Sequence, residues 1–325
     1  MSIEYLSNPN LPIIKNGWKG NPVRNGSFLN DRPSQISITK FAKSRLYNPQ
    51  RTERKNDTFR LGFCPNDDFF KSDEDMIVWL GHASFFIRLG GVTLLTDPSY
   101  NSFPTRPRMV PIPCDVDVFK YVDYVLISHM HHDHADMRSL RKIFKGNKKT
   151  QALLPLGGHK YLKYFTSNWQ EAGWYQQYRT VPEIEIYFLP SFHWSRMGLF
   201  DNNSTLWGSF IIRGNGKTIY FGGDTAWSSH FETISELFPS IDYAILPIGA
   251  YTPRSIAGTA HISPDEAVKA AGILGAENLI PMHYGTYKMG QEPLGEPYRK
   301  ICRMNEDGEI CGCLNCLDVG EEFLI

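Results

Sequence analysis

Short apolar segments that end in polar residues recur along the chain from residue 76 onward. Residues 76–80 (MIVWL) and 121–128 (YVDYVLIS) are mostly apolar, which indicates strands that are buried on both faces. Residues 183–190 (EIEIYFLP) begin with alternating polar and apolar positions, as in a strand with one exposed face. The same reasoning predicts further strands over four segments: 150–156, 241–249, 278–283 and 320–325.

Glycines and helical spacing complete this pattern. Residues 90–91 (GG) and 214–216 (GNG) each separate two apolar runs, and each predicts a β-hairpin. Residues 136–145 have apolar positions at helical spacing, and the apolar residues of 160–178 fit the core face of another helix. Residues 263–275 predict a helix with strong boundary signals: Ser263 as N-cap, Pro264 at the first position, Glu266 completing a capping box and Gly275 as the stop.

Hairpins mixed with strand–helix units predict an α/β protein in which two sheets pack together and helices lie outside them. Residues 1–75 differ from this pattern, because they are rich in Asn, Pro, Lys, Arg and Ser and contain few periodic apolar stretches. We predict that they form an irregular N-terminal extension packed on the main domain, with Trp18 and Phe28 as anchors. The main domain is predicted to span residues 76–325.

Composition and charge restrict the partners that we expect. Hydrophobic residues make up 42% and charged residues 21%, as in an ordinary globular protein. Lys+Arg and Asp+Glu both number 34, and this zero net charge gives no reason to expect nucleic acid as a partner. The sequence shows no signal-peptide pattern, and its longest apolar runs, such as 243–251, are shorter than the roughly 20 residues of a membrane helix. We therefore expect a cytoplasmic protein that contacts a membrane at most peripherally.

Cysteine spacing gives no clear metal motif. Such a protein is expected to keep its six cysteines as thiols. A small metal-binding knuckle near the C-terminus is the alternative, but the segment CGCLNC lacks the two separated C-x-x-C pairs of a zinc ribbon. We therefore predict free thiols for the C-terminal cysteines, which are Cys302, Cys311, Cys313 and Cys316.

The segment SHMHHDHAD, residues 128–136, contains four of the ten histidines of the chain. It follows a predicted buried strand and precedes a predicted helix, so it forms a loop at a sheet edge. His129 and His131 can converge on one point, while Asp133 and His134 follow the turn of the chain and aim at a second point nearby. Imidazole nitrogen and carboxylate oxygen are typical zinc ligands. A solvated polar loop is the alternative, and it explains this concentration of histidines poorly.

Three distant residues are candidates for the same site. His193, Asp224 and His283 each follow an apolar run that predicts a strand. For each residue alone, a hydrogen-bonded polar side chain in a loop is the more common situation. Because all three follow strand ends, we expect them to meet the histidine-rich loop at one rim of the sheets.

The motifs also resemble a known family. In chain order they are WLGHASFFI, LLTDPSY, VPIPCDV, ISHMHHDHAD, HWSR, LWGSF, GDT, HISPDEAV and MHYGT. Through them, roughly residues 76–290 resemble the metallo-β-lactamase-fold hydrolases, and more closely the family of N-acylphosphatidylethanolamine-hydrolysing phospholipase D. The resemblance implies a four-layer αββα sandwich. It also implies a zinc-dependent phosphodiesterase that acts on a glycerophospholipid or a related phosphodiester through a hydroxide bridging two Zn²⁺ ions.

Carried over motif by motif, the resemblance assigns roles to individual residues. One zinc ion is assigned to three histidines: His129, His131 and His193. The other is assigned to Asp133, His134 and His283, with Asp224 bridging both ions. Asp133 and His261 are the implied catalytic residues. Three residues are implied to orient ligands or to meet the substrate: His82, Asp97 and Arg196.

Other functions are compatible with parts of this pattern. A lactonase or sugar-phosphate lactonase of the same fold is the second hydrolase candidate, and the motifs HWSR and LWGSF argue against it. A nuclease is disfavoured by the zero net charge. A di-iron redox module usually has a carboxylate at the position of His131, so the imidazole there favours zinc. A non-catalytic metal-binding scaffold is disfavoured because the ligand set is complete.

Overall fold

The computed structural model describes residues 2–30, 48–104 and 106–325. Residues 31–47 of the predicted N-terminal extension therefore lie outside the described residues. The strands, in chain order, are β1 Glu4–Leu6, β2 Asn21–Arg24, β3 Ser27–Phe28, β4 Met76–Trp79, β5 Phe85–Leu89, β6 Val92–Thr96, β7 Tyr124–Leu126, β8 Gln151–Pro155, β9 Trp169–Ala172, β10 Gln176–Gln177, β11 Ile184–Leu189, β12 Ser209–Gly214, β13 Lys217–Phe221, β14 Ile241–Pro247, β15 Ala276–Met282, β16 Cys313–Leu314 and β17 Glu322–Leu324.

Most of these strands form two seven-stranded mixed sheets. The first sheet has the order β17-β4-β5-β6-β7-β8-β9, and the second has the order β10-β11-β12-β13-β14-β15-β16. Both predicted hairpins are present, as the antiparallel pairs β5–β6 and β12–β13. In the centre of each sheet the pairing becomes parallel, from β6 to β9 and from β13 to β16. The carboxyl ends of these parallel strands therefore lie along a common edge.

Seven helices lie in the described residues, and the longer ones bury apolar side chains against the sheets. They are α1 Arg51–Asn56, α2 Met137–Phe144, α3 His159–Leu162, α4 His230–Leu237, α5 Arg254–Ala257, α6 Pro264–Leu274 and α7 Glu296–Glu306, with 3₁₀ turns at Phe69–Lys71 and Val116–Tyr121. Helix α6 has the predicted capping box, and its C-cap glycine has a φ of 62°. The two helices predicted over 136–145 and 263–275 are therefore confirmed as α2 and α6.

The core shows why strands such as β4 carry apolar residues at every position. Ile77 and Trp79 belong to the cluster shared by both sheets, whereas Met76 and Val78 belong to a second cluster with helix α2. Since a β-strand directs successive side chains to opposite faces, a sheet covered on both sides needs continuous apolar strands. The layered α/β fold predicted from the sequence is confirmed by this arrangement.

The N-terminal residues are less irregular than predicted, because β1, β2 and β3 form a small antiparallel sheet of their own. Val23 and Phe28 are buried in the main core cluster. Trp18 packs against Trp174 and Tyr175, with ring centroids 6.3 and 4.9 Å apart. The position of a domain boundary near residue 75 remains a prediction.

Residues 160–178 depart from the helix that their apolar spacing suggested. Helix α3 ends at Leu162, and the chain then forms strands β9 and β10. Leu162 is fully buried in the cluster under α2, while Phe165 is half-buried. Of the helices in the described part of the chain, none is both long enough and apolar enough to cross a membrane.

Candidate metal centre

Polar side chains follow six strands of the two sheets, within a few residues of the strand end. In the first sheet they are His82 after β4, Asp97 after β6 and His129 after β7. In the second sheet they are His193 after β11, Asp224 after β13 and His283 after β15. The structure brings all six to one rim between the sheets, together with the loop that carries His131, Asp133 and His134. The apolar core of the two sheets therefore positions a cluster of buried polar groups.

The first group of converging side chains consists of three histidines. His129 Nε2 lies 2.8 Å from His131 Nδ1, and His193 Nε2 lies 3.3 Å from the same nitrogen. A tetrahedral ion with metal–nitrogen bonds of about 2.0–2.1 Å has ligand atoms about 3.3–3.4 Å apart. The three imidazoles thus approach the spacing of three ligands around one ion.

The second group lies beside the first. The side chains of His82, Asp133, His134 and His283 place one donor atom each within 4.8 Å of one another. Asp133 Oδ2 lies within hydrogen-bond distance of His82 Nε2, at 3.0 Å, and it lies 3.8 Å from His134 Nε2. His82, which the resemblance placed outside the metal ligands, is therefore in direct contact with one of them.

Asp224 lies between the two groups. Its Oδ2 is 3.7 Å from His193 Nε2 in the first group and 3.3 Å from His134 Nε2 in the second. Its Oδ1 is 3.2 Å from His283 Nε2, and its side chain is only 3% exposed. His261 Nδ1 lies 3.7 Å from the same carboxylate. A carboxylate in this position has an oxygen available to each group.

The Nδ1 atoms of three histidines, which face away from the cluster, are held by hydrogen bonds. His193 Nδ1 donates to the carbonyl oxygen of Ala260 at 2.9 Å, and His134 Nδ1 donates to Asp97 Oδ2 at 2.8 Å. His129 Nδ1 bonds Ser128 Oγ at 2.9 Å, and that hydroxyl donates to Asp97 at 2.6 Å. With the proton on Nδ1, the neutral form of each imidazole presents the Nε2 lone pair to the centre, which is the usual arrangement of metal-binding histidines.

Burial and charge set the protonation states of these groups. Burial lowers the pKa of His129 and of His193 well below the usual value, and it lowers the pKa of His131 to about 4. Burial also opposes charge on Asp224, but the imidazoles of His134 and its neighbours outweigh it and hold the pKa of that carboxyl well below its usual range. Neutral imidazoles and ionised carboxylates are the forms that bind metal ions.

His134 is the exception among these histidines, because the carboxylates around it favour the charged imidazole. Burial alone would lower its pKa, but the carboxylates of Asp224 and Asp97 raise it well above the usual value. The centre therefore favours positive charge at this point. Several buried ligand atoms also lack a hydrogen-bond partner among the described residues, and they are His134 Nε2, His283 Nε2 and Asp224 Oδ1. The residues present thus fit one or more divalent ions.

The backbone at the strand ends is strained in a way that is common at functional sites. His82, Asp97 and His283 have φ angles of 58°, 34° and 64°. Residues with a Cβ atom adopt this left-handed region at a cost of about 1–3 kcal/mol each, so the surrounding structure must hold them there. In each case the conformation directs a polar side chain into the cluster immediately after its strand.

A cavity of about 430 Å³ opens over the cluster. The residues that line it include Arg196 and five members of the cluster, which are His131, Asp133, His193, Asp224 and His261. His132 is exposed at the same cavity and lies outside the groups of converging donors. The six cysteines are free thiols, and none belongs to a metal-binding group within the described residues.

Sequence reasoning missed three residues around the site. Arg106 and Met289 line the cavity from loops that no motif singled out. The guanidinium of Arg108 is buried and donates to the carbonyl oxygens of Ser99 at 2.7 Å and Val110 at 2.8 Å, and also to that of Leu80. It thereby ties together the loops that carry His82 and Asp97. A single arginine in a loop gives no sequence signal for such a contact.

Replacement of Asp97 by asparagine is expected to weaken metal binding. Asp97 holds His134 directly and His129 through Ser128, so one side chain orients a histidine of each group. Both of these bonds reach Asp97 Oδ2, while Oδ1 accepts from the backbone nitrogen of Ser128 at 2.7 Å. Because asparagine would turn an amide NH₂ group toward one of these sets of donors and would remove the negative charge, we expect metal affinity to fall by roughly 10- to 100-fold. Competition with a chromophoric chelator measures this change.

Asp123→Asn is the matched control. Asp123 Oδ2 accepts two hydrogen bonds from Thr93, at 2.8 and 2.7 Å, at the start of β7 rather than at its end. This variant is expected to lose fold stability but to keep its metal affinity. Equal metal affinity in the Asp97→Asn variant and the unmodified protein would contradict the role assigned to Asp97.

Comparison with known proteins adds to this geometry. Residues 93–284 match the family model described as the beta-lactamase superfamily domain, which is more than half of the chain. The chain is 31% identical over 315 residues to the N-acyl-phosphatidylethanolamine-hydrolyzing phospholipase D 1 of Caenorhabditis elegans, and the match covers 88% of each chain. It is also 31% identical over 212 residues to a metal-dependent hydrolase of Pyrococcus furiosus, covering 65% of this chain and 85% of that protein.

The fold is also found among solved structures. The structure of a metallo hydrolase from the archaeon Ignicoccus hospitalis superposes with a TM-score of 0.58 at 23% identity, covering 77% of this chain and 98% of that one. At this identity the likeness concerns the fold alone. It agrees with the sandwich of two sheets described above.

Proposed function

This chain belongs to the beta-lactamase superfamily, within the family of the N-acylphosphatidylethanolamine-hydrolysing phospholipases D, and from this premise we propose that it hydrolyses a phosphodiester bond of a glycerophospholipid. It is a metal-dependent hydrolase of the metallo-β-lactamase fold. The proposal adds that the metal is zinc, that two ions bind, and that the substrate is N-acylphosphatidylethanolamine or a related phosphodiester.

The position of Asp224 is the observation that carries the proposal. The carboxylate lies within 3.7 Å of a nitrogen of His193 in the first group and within 3.3 Å of nitrogens of His134 and His283 in the second. A single carboxylate that reaches both groups suits a pair of ions better than one. Imidazole-rich donor sets without thiolates favour zinc among the common hydrolytic metals. When bound, two such ions supply an activated water molecule and neutralise charge on the phosphoryl oxygens.

Side chains of the cavity account for the remaining tasks. To Asp133, whose Oδ2 lies 3.0 Å from His82 Nε2, we assign the orientation of the attacking water molecule. His261 stands at the cavity floor, 3.7 Å from Asp224, with 16% of its side chain exposed, and we assign to it the transfer of a proton to the leaving alcohol oxygen. Arg196 and Arg106 place two guanidinium groups at the cavity, where they can bind phosphate oxygens.

The products define the reaction. Hydrolysis of the phospholipase D type breaks the bond between the phosphorus atom and the oxygen of the head-group alcohol. Water supplies the new oxygen on phosphorus, and a proton passes to the alcohol that leaves. The products would be phosphatidic acid and an N-acylethanolamine.

A substrate panel tests the proposal. The panel contains N-acylphosphatidylethanolamine, bis-p-nitrophenyl phosphate, a phosphomonoester, a lactone and a β-lactam, and the zinc-loaded protein is assayed against each. We expect turnover of the two phosphodiesters and negligible turnover of the other three compounds. Faster cleavage of the lactone than of either phosphodiester would instead assign the site to a lactonase.

A further inference from the structure

The two most exposed large apolar side chains of the described residues are neighbours. Phe200 is 99% exposed and Leu199 is 86% exposed. Both lie in the loop of residues 196–203, which follows His193 of the metal centre by only a few residues. An adjacent pair of largely solvated apolar side chains costs free energy in water, and such exposed patches mark interaction sites.

Hydrogen bonds hold this loop in place while leaving its tip in solvent. The carboxylate of Asp201 accepts from the backbone nitrogen of Gly198 at 2.8 Å and from the hydroxyl of Tyr161. Asn203 closes the base of the loop, because its nitrogen donates to the carbonyl oxygen of Ser195 at 2.7 Å and its side chain accepts from the nitrogen of Ser195 at 3.1 Å. The exposure of Leu199 and Phe200 therefore belongs to a braced loop.

The loop is also joined to the metal centre. Ser195 Oγ accepts from the backbone nitrogen of Met130, which lies between His129 and His131, at 3.1 Å. Met197, Gly198 and Leu199 form part of the cavity wall. The exposed tip is thus continuous with the mouth of the cavity, and anything that the tip contacts lies next to that mouth.

Two cations stand at the same mouth. Arg196 and Arg106 are exposed and line the cavity, and neither forms an ion pair with a carboxylate within the described ranges. The guanidinium of Arg196 lies 5.3 Å from the ring of Trp194, which keeps it at the rim. Exposed apolar side chains beside unpaired cations match the interface of a phospholipid bilayer, where acyl chains lie beneath anionic phosphates.

From this arrangement we infer that Leu199 and Phe200 insert into the surface of an anionic phospholipid bilayer and hold the cavity mouth against the head groups. The inference deepens the proposed function and rests on it for the choice of lipid as the partner. The two arginines contact the phosphates, while the braced loop sets the depth of insertion. A lipid head group can then enter the cavity without leaving the membrane surface entirely.

Flotation of the full-length protein with vesicles tests this inference. The vesicles consist of phosphatidylcholine with or without phosphatidylglycerol. We expect the unmodified protein to bind, more strongly when phosphatidylglycerol is present. Phe200→Ser is expected to weaken binding by about 10-fold or more, since burial of a phenylalanine side chain is worth that much. The Leu199→Ser/Phe200→Ser double variant should bind more weakly still.

Tyr121→Ser is the matched control. Tyr121 is also a large exposed side chain, at 76%, but it precedes β7, whereas the metal loop follows the end of that strand. This variant should bind vesicles as the unmodified protein does. Vesicle binding that is absent, or that Phe200→Ser leaves unchanged, would overturn the inference. Light scattering that shows a dimer lost on Phe200→Ser, without any vesicle binding, would overturn it in favour of a second copy of the chain.

Activity measurements separate this inference from the proposed function. Hydrolysis of water-soluble bis-p-nitrophenyl phosphate should be the same in Phe200→Ser as in the unmodified protein, while the apparent KM for a vesicle-borne phospholipid should rise about 10-fold. If neither phosphodiester is cleaved, the proposed function fails, but the flotation result still decides whether the loop binds membranes.

Discussion

Asparagine in place of Asp224 is expected to abolish nearly all hydrolysis and to reduce bound metal. The substitution keeps the size of the side chain but removes its negative charge, and it replaces one oxygen that faces His134 or His283 by an amide group. The imidazoles around it then lose the carboxylate shared by both groups. We expect kcat/KM for bis-p-nitrophenyl phosphate to fall by at least about 10³-fold, more than for a single oriented donor. Kinetics and elemental analysis of the same sample measure the two effects.

Two further variants serve as comparisons for the Asp224→Asn result. Asp117→Asn changes an exposed aspartate, 60% accessible and remote from the cavity, and should leave metal content and kcat/KM unchanged. His261→Gln should keep the bound metal while kcat falls by about 10²-fold, as expected when a proton donor is lost. Asp224→Asn with full metal content and normal turnover would refute the bridging position of Asp224. Loss of metal in His261→Gln would make His261 a ligand instead.

Removal of metal by a chelator is expected to lower the melting temperature strongly. Asp133 and Asp224 are buried carboxylates, with 8% and 3% of their side chains exposed, and they lie beside one another in the same cluster. A ligand present at about a thousand times its Kd stabilises the folded state by roughly 4 kcal/mol, which for a chain of this size is a shift in Tm of roughly 5–15 °C. Differential scanning fluorimetry before and after dialysis against the chelator measures the shift.

The same experiment identifies the metal. Zinc is expected to restore the original Tm at two equivalents, and iron or manganese to restore less of it. The chelator should shift the Tm of the Asp224→Asn variant much less, because that variant binds metal weakly from the start. A Tm that does not move, in a sample shown by elemental analysis to have lost its metal, would mean that the fold holds the cluster together without ions.

The sequence alone determined much of the fold, because local patterns report burial directly. The continuous apolar run of β4 predicts a strand covered on both faces. The glycine pair between β5 and β6 predicts the hairpin that these strands form. Ser263 and Gly275 mark the ends of α6 through bonds made within a few residues. Residues 160–178 show the limit of this reasoning. Their apolar spacing is compatible with a helix, but part of the segment forms the edge strand β9 because it pairs with β8.

Only the tertiary structure decided how the candidate ligands are arranged. The sequence could mark His193, Asp224 and His283 as polar residues after apolar runs, but their meeting depends on the order of strands in two sheets. The hydrogen bond from His193 to the carbonyl oxygen of Ala260 and the bond between Ser128 and Asp97 had no sequence pattern of their own, because each joins loops far apart in the chain. The exposure of Leu199 and Phe200 was equally invisible, since two apolar residues in a loop look alike whether the fold covers them or leaves them in water. Local periodicity records which faces of an element are buried, whereas the convergence of distant side chains is a property of the packed sheets.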